Sequence, residues 1–291
     1  MKVRTIGSLF TLLLVAFLSV PLASHADDSA LKANIQTIEQ ELDGRVGISW
    51  YDENSSRLWS YRGDEAFPLT STFKAFACAA LLARVDAKQE DLQRQVAIHK
   101  QELITYSPVT ERFTGKTLST ADLCSAAVTL SDNTAGNLVL ASIGGPSGFT
   151  QFMQTLGDAK SSLSRWEPDL NEATPGDTRD TTSPNAAVQS LRTLVSGDTL
   201  SPDSRQTLIG WLRNDQVADQ LIRSYLPKSW IIGDKTGAGG HGSRAIIAVI
   251  WPPQKKPIFL AIYLTQTDAS MEKRNQALVD ISKLLLNPVL P

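Results

Sequence analysis

The sequence predicts a mixed α/β protein, one α/β unit built from both chain ends around an all-helical insertion. Strand-like text stands near both ends, in residues 45–62 and again from Trp230 to Thr265. Between them, from Leu69 on, about 140 residues read as helical, near the size of a small domain. Strands at both ends around a helical middle imply one α/β unit built from both termini, with an all-α insertion. The expected division is 27–65 with 215–291 for the α/β unit and 66–214 for the helical one, meeting at a cleft suited to a site. The chain's 291 residues suffice for this. Hydrophobic residues at 42% and charged ones at 20% are ordinary for a globular protein. A net charge of −2 offers no basic footprint for nucleic acid.

Taken in order, the chain starts with a three-part pattern. Lys2 and Arg4 precede an apolar run from Leu9 to Leu18, and Ser24-His25-Ala26 gives a small-x-small cleavage site. Residues 1–26 therefore read as a secretory signal peptide, cut after Ala26, with Ala23 as second choice. Cleavage leaves 26 of the 28 basic residues against 30 acidic ones, a net −4. No later stretch is apolar for long enough to span a bilayer. The mature protein is expected to be periplasmic, free of the membrane and monomeric.

Leu31, Ile35, Ile38 and Leu42 recur at helical spacing, so 29–43 reads as an amphipathic helix closed by Gly44. Val46, Ile48 and Trp50 alternate, and the turn Asp52–Ser56 leads into a second strand, making 45–62 a hairpin. From Ser71 to about Val85 the text is helical, and Ala75–Ala83 has no polar face, which places that helix in the interior. Helices follow at 119–129, opened by the capping pattern Ser119-Thr120-Ala121-Asp122, at 133–143 and at 146–156. Residues 158–184, broken by Pro168, Pro175, Gly176 and Pro184, form a long loop of the kind that is usually functional. Helices at 185–196 and 201–213, strands at 230–237, 245–251 and 258–265, and a helix at 268–286 complete the chain. Cys78 and Cys124 are the only cysteines. In an exported chain a pair is bridged more often than not, but both lie in apolar helical text and two buried thiols remain the alternative.

The chemistry gathers at four places. Ser71 and Lys74 are three apart, on one face of a helix start, where an amine can activate a hydroxyl. Ser131-Asp132-Asn133 lies at a helix junction, and Lys235-Thr236-Gly237 on a late strand. Each triplet alone is weak. Together, in this order, S-x-x-K, S-D-N and K-T-G resemble the motif set of class A β-lactamases and penicillin-binding proteins. Within the long loop, Glu167 and Asn171 in Glu167-Pro168-Asp169-Leu170-Asn171 resemble the E-x-x-L-N motif of the class A omega loop, expected over 161–180.

The resemblance to class A serine β-lactamases covers essentially the whole mature chain, and the text from Lys235 to Arg244 looks closest to carbenicillin-hydrolysing members, which often carry arginine in place of Lys235. It implies a β-lactamase/D,D-peptidase-like fold, with an antiparallel sheet flanked by helices. It implies a Ser71 nucleophile, Lys74 or Glu167 as its base, an oxyanion hole from the backbone N–H groups of Ser71 and Ala238, and a proton relay through Ser131. Asn133 would bind the substrate side-chain amide, Lys235, Thr236 and Arg244 its carboxylate, and Glu167 with Asn171 the hydrolytic water. Tyr106, beside Pro108, matches an aromatic gate, Arg165 and Asp180 an ion pair that pins the loop, Cys78 and Cys124 a disulfide, and Glu167–Pro168 a cis bond. The implied substrates are small β-lactams, penicillins above all, with no cofactor and no metal. Thr70 and Gly239 stand where some carbapenem-hydrolysing relatives have a cysteine pair.

Other readings fail on their own terms. Thr110 occupies the first glycine position of a P-loop ending at Lys116-Thr117. Gly237-x-Gly239-x-x-Gly242 falls in a turn between strands, not between strand and helix. Beyond the signal segment only His99 and His241 exist, expected at a helix end and a surface turn, too few for a zinc site or a serine–histidine triad. A penicillin-binding peptidase would share the three triplets but not normally the Glu167–Asn171 pair, and a β-lactam sensor would usually need a membrane segment, which the mature sequence is not expected to have.

Overall fold

The computed structural model describes residues 23–288 and 290, with side chains from Asp28 onward except at 289 and 291. The expected signal peptide lies outside these residues apart from 23–26, which open the first helix. That helix, α1, spans Ala23–Glu41, longer at its start than the apolar spacing indicated. It is followed by the hairpin β1 (Arg45–Asp52) and β2 (Arg57–Tyr61). Next come the two-residue strand β3 (Phe67–Pro68) and the buried helix α2 (Phe73–Asp86). Ser71 sits just before α2, in a 3-10 turn over Thr70–Thr72, rather than within the helix as expected.

The helical middle is not purely helical. Strands β4 (Gln95–Ala97) and β5 (Thr117–Ser119) pair with each other. Helices α3 (Thr120–Thr129), α4 (Asn133–Ser142) and α5 (Gly145–Thr155) follow. Strand β6 (Thr181–Thr182) then pairs back on β3, so Phe67 lies opposite Thr182. Three-residue strands are too short to show an alternating pattern, which is why this text read as helical or irregular. Ser119 caps α3 as expected: its hydroxyl accepts from the Asp122 N–H at 3.0 Å. Helices α6 (Pro184–Ser196) and α7 (Pro202–Arg213) complete this part.

Strands β7 (Ile231–Ala238), β8 (Arg244–Trp251) and β9 (Ile258–Thr265) precede the last helix, α8 (Met271–Leu286). The main sheet is antiparallel throughout, in the order β2-β1-β9-β8-β7. The expected antiparallel sheet flanked by helices is therefore present. Strand side chains alternate between faces. Ile246, Ala248 and Ile250 of β8 join Ile35 of α1 and Leu278 and Ile281 of α8 in one core. Ala245, Ile247 and Val249 join Phe76 and Leu81 of α2 in the other. Both faces are covered, so β8 and β9 are almost continuously apolar. At the heart of the second core α2 is buried from Phe73 to Leu82. Cys78 of α2 and Cys124 of α3 are disulfide-bonded, with Cα atoms 5.6 Å apart, which decides between the two readings of the pair. Among the described residues no helix is long and apolar enough to cross a membrane.

Candidate active site

The site lies where α2, the α3–α4 junction, the 158–184 loop and the edge strand β7 converge. Ser71 is nearly buried, and the turn that presents it packs directly on β7. A Cβ on Gly237 would stand 2.0 Å from Thr70 Oγ1 and 3.1 Å from the Ser71 nitrogen, so only glycine permits this approach. Thr70, Tyr106 and Ser131 all hold positive φ, at +45°, +65° and +59°. Non-glycine residues in that region carry strain, which concentrates at functional sites.

Lys74, one turn past Ser71, is fully buried. Its Nζ donates to Ser71 Oγ at 3.0 Å, to the Ser131 carbonyl at 2.8 Å and to Asn133 Oδ1. Glu167 Oε1 stands 3.1 Å away. Burial pushes the Lys74 ammonium below its usual range, while Glu167 and Asp132 pull it back up. Gly136 of α4 makes room for the lysine stem, since a Cβ there would lie 2.9 Å from Lys74 Cε.

Glu167 comes from the long loop and is likewise buried. Its bond to Pro168 is cis. One carboxylate oxygen accepts from Asn171 Nδ2. Asn171 Oδ1 has no hydrogen-bond donor among the described residues, and the other Glu167 oxygen, Oε1, is the one that faces Lys74 Nζ. The Glu167 backbone is gripped by Asn137 of α4: Asn137 Nδ2 donates to the Glu167 carbonyl and Asn137 Oδ1 accepts from its N–H, both at 2.9 Å. The loop is anchored at its base by Arg165, whose Nε donates to Asp180 Oδ2 at 2.6 Å and whose guanidinium also meets Glu172. At the far side the Gly240 N–H donates to the Asn171 carbonyl at 2.8 Å, tying the loop to the end of β7.

Lys235, fully buried on β7, donates to Ser131 Oγ at 3.1 Å and to the Thr236 carbonyl at 3.0 Å. Burial pushes it down to about 8. Ser131 thus lies between the two lysines, its carbonyl on Lys74 and its hydroxyl on Lys235. Arg244 of β8 donates to the Gly237 carbonyl at 3.0 Å and to Asn275 of α8 at 2.7 Å, and burial lowers it to about 10. Ala238 ends β7, paired with Arg244. Asn133 bridges the lysine and the rim: its Nδ2 donates to the Thr105 carbonyl and its backbone N–H to that of Tyr106. The Tyr106 side chain is exposed. His99 is exposed at the start of a short 3-10 turn and His241 is exposed in the β7–β8 turn, as expected.

Three residues here escaped the sequence reading. Asn137 and Asn275 bond the Glu167 backbone and the Arg244 guanidinium. Asp132 was visible only as the middle of a triplet. It caps α4 through the Ala135 N–H and accepts from the N–H groups of Val109 and Thr110, which fixes the α3–α4 junction under the rim.

A family model described as the beta-lactamase enzyme family matches residues 30–289. The chain belongs to that family. Beta-lactamase AER-1 of Aeromonas hydrophila is 49% identical over 287 residues, which covers 98% of this chain and 94% of the relative. Among solved structures, the ancestral class A beta-lactamase of Gram-negative bacteria superposes with a TM-score of 0.87 at 47% identity, covering 89% of this chain and 99% of that one. The chromosome-encoded beta-lactamase of Vibrio parahaemolyticus gives 0.87 at 44% identity, covering 89% and 98%. This chain is accordingly a class A member of the family, and its fold is theirs.

Proposed function

We propose that this β-lactamase opens the β-lactam ring of penicillins through a Ser71 acyl-enzyme and releases the product with a water activated by Glu167. Ser71 Oγ attacks the lactam carbonyl, its proton passing to Lys74 or, through water, to Glu167. A hydroxyl needs such a base to act as a nucleophile. The backbone N–H groups of Ser71 and Ala238 stabilise the oxyanion, each donor being worth about 10²–10³ in rate. The C–N bond breaks and the departing nitrogen takes a proton through Ser131, which the two flanking lysines keep oriented. Asn133 receives the substrate's side-chain amide. Lys235, Thr236 and Arg244 hold its carboxylate, two cations suiting one anion. Tyr106 borders the entrance.

The observation that carries the second half is the Glu167–Asn171 pair. Asn171 Oδ1 is a buried acceptor without a donor among the described residues, and Glu167 Oε1 beside it meets only the Lys74 ammonium, at 3.1 Å. A buried acceptor left unpaired is costly. One water donating both its protons would satisfy the two, leaving its lone pair for the ester carbonyl. Glu167 then takes the proton as the C–O bond to Ser71 breaks, and penicilloate leaves. Hydrolysis destroys the antibiotic, and resistance follows. Glu167→Ala is the test. We expect acylation to survive in part and the penicilloyl adduct on Ser71 to accumulate in the mass spectrum. Absence of any adduct would refute the assignment, and a wild-type burst without turnover of nitrocefin would favour a penicillin-binding protein.

The periplasmic location, cleavage after Ala26, the monomeric state and the division at 65/66 and 214/215 belong to the same proposal. Small Gly239 at the pocket edge, whose Cβ would meet the Asn171 carbonyl at 2.7 Å, supports a narrow penicillin spectrum, carboxypenicillins included. Efficient turnover of imipenem or ceftazidime would overturn that spectrum.

A further inference from the structure

Two buried hydroxyls behind the rim of the site have no task in the mechanism above. Ser107 follows Tyr106, and Thr134 is the second residue of α4. Ser107 Oγ donates to the Ile104 carbonyl at 2.9 Å, and the Ile104 N–H donates to Thr134 Oγ1 at 3.1 Å. The two hydroxyl oxygens stand 2.7 Å apart. Each hydroxyl has one proton to give. Ser107 gives its proton to the carbonyl, which can only accept, so Thr134 is the donor between the two. The other acceptor near Thr134, the Glu102 carbonyl, is farther, at 3.4 Å. The three bonds close a ring through Ile104, Ser107 and Thr134. The Thr134 N–H, one of those that a helix start leaves unpaired, also donates to Ser107 Oγ, at 3.2 Å.

The ring clamps both ends of a short segment of the rim. Between Ile104 and Ser107 lie Thr105 and Tyr106, both exposed. Their carbonyls accept from Asn133, that of Thr105 from Nδ2 at 2.9 Å and that of Tyr106 from the backbone N–H at 3.0 Å. The first two residues of α4 thus carry the whole segment, Asn133 its middle and Thr134 its ends. Tyr106 needs such holding. Its φ of +65° is strained for an aromatic residue and persists only where the surroundings over-determine it. With the Tyr106 side chain 54% exposed, bonds to its flanking backbone rather than packing set its place.

We propose that Thr134 and Ser107 are positioning residues that hold Tyr106 at the entrance and thereby govern recognition of the substrate's acyl side chain. The inference rests on the assignment of Asn133 and Tyr106 to the substrate-binding rim given above. Bonds joined in a ring strengthen one another, so removing either hydroxyl weakens the whole clamp. The two act as a unit.

Thr134→Val, which keeps the shape and removes the hydroxyl, tests it. Steady-state kinetics are compared on benzylpenicillin, which carries a phenylacetamido side chain, and on aminopenicillanic acid, the penicillin nucleus with a free amine in place of that side chain. Thr134→Val and Ser107→Ala should each raise KM for benzylpenicillin roughly three- to tenfold, the factor set by the net contribution of one hydrogen bond. With uniform binding lost, kcat should hold. On aminopenicillanic acid the change should be much smaller. The double variant should cost little more than either single one, because both break the same ring. Thr134→Ser keeps the hydroxyl and should match the wild type. In a Tyr106→Gly background, with no side chain to place and no strain at positive φ, Thr134→Val should no longer move KM. Should Thr134→Val fail to fold, Ser107→Ala and Thr134→Ser make the same comparison of hydroxyl removed against hydroxyl kept. An unmoved KM for benzylpenicillin, equal losses on the two substrates, or additive losses in the double variant would overturn the proposal. Failure of the underlying function would look different: the wild type itself would not turn over benzylpenicillin.

Discussion

Replacing Asn137 by alanine removes two hydrogen bonds at once, and both end on the backbone of Glu167. The Asn137 amide bonds the Glu167 carbonyl and N–H at 2.9 Å each. Glu167 is only 4% exposed, so water reaches the freed groups poorly. Each bond contributes about 1 kcal/mol net, and each buried group left unpaired costs about 1–3 kcal/mol. The expected destabilisation is on the order of 2–5 kcal/mol. At roughly 2–4 °C per kcal/mol for a chain of this size, the melting temperature should fall by about 4–20 °C. The kinetic effect is larger than the stability change suggests. A displacement of about 1 Å at a catalytic group can cost roughly 10² in rate. Asn137 makes no side-chain hydrogen bond to Ser71 or Lys74 and reaches them only through Glu167, so acylation should change less than deacylation. Thermal unfolding followed by circular dichroism, with rapid-quench mass spectrometry of the acyl-enzyme, separates the two effects. A melting temperature within a degree of wild type together with unchanged steady-state turnover would refute the reasoning.

Gly237→Ala should lower kcat/KM by at least about tenfold, because the new methyl must displace Thr70 or the Ser71 backbone that it meets at 2.0 and 3.1 Å; stopped-flow acylation with nitrocefin measures it, and near-normal acylation would mean that the Ser71 turn yields freely. Cys78→Ser with Cys124→Ser opens a cross-link spanning 46 residues, so stability should drop by up to about 4 kcal/mol on the chain-entropy model while activity at 25 °C persists; denaturant unfolding of the pair against wild type reads it. Activity and stability should diverge in alkaline solution. Lys235 is held near 8, below its unfolded value of about 10.4, so between these values the unfolded chain binds the extra proton and this group's contribution to stability rises with pH, while binding of the substrate carboxylate falls. Parallel pH series of the melting temperature and of KM, each compared with Lys235→Arg, would show it.

What could be read from the sequence and what could not follows from where each residue's partner lies. Ser71 and Lys74 meet because they are one turn apart, and Glu167 and Asn171 for the same reason, so their spacing was informative. Asn137 is also one turn from a motif residue, Asn133, but its partner is main chain 30 residues away. Backbone partners leave no trace in side-chain patterns. An amide inside the otherwise apolar run Ala135–Leu140 was the one available signal. Asn275 lies in the polar stretch that opens α8, Met271–Gln276, where one more polar side chain is uninformative. The strain at Thr70, Tyr106 and Ser131 was equally hidden, since positive φ usually announces itself as glycine. At the level of the fold, long alternating strands and the buried helix were legible. The pairings β3–β6 and β4–β5 were not, because two or three residues carry no period.

The register of β1 against β9 sets Arg45 opposite Thr265 and Asp52 opposite Ile258. The first long strand of the chain thus has only its own hairpin partner until the final strand has been made. Pairing across some 200 residues has a high loop-closure cost, so it comes late and makes folding slow. A nascent chain of this design cannot close its sheet, nor bury either core in full, before its last fifth is available. Length itself acts as a timer: full burial of the core waits until the polypeptide is nearly whole. Truncations that remove β9 should therefore yield aggregating chains rather than a smaller folded protein.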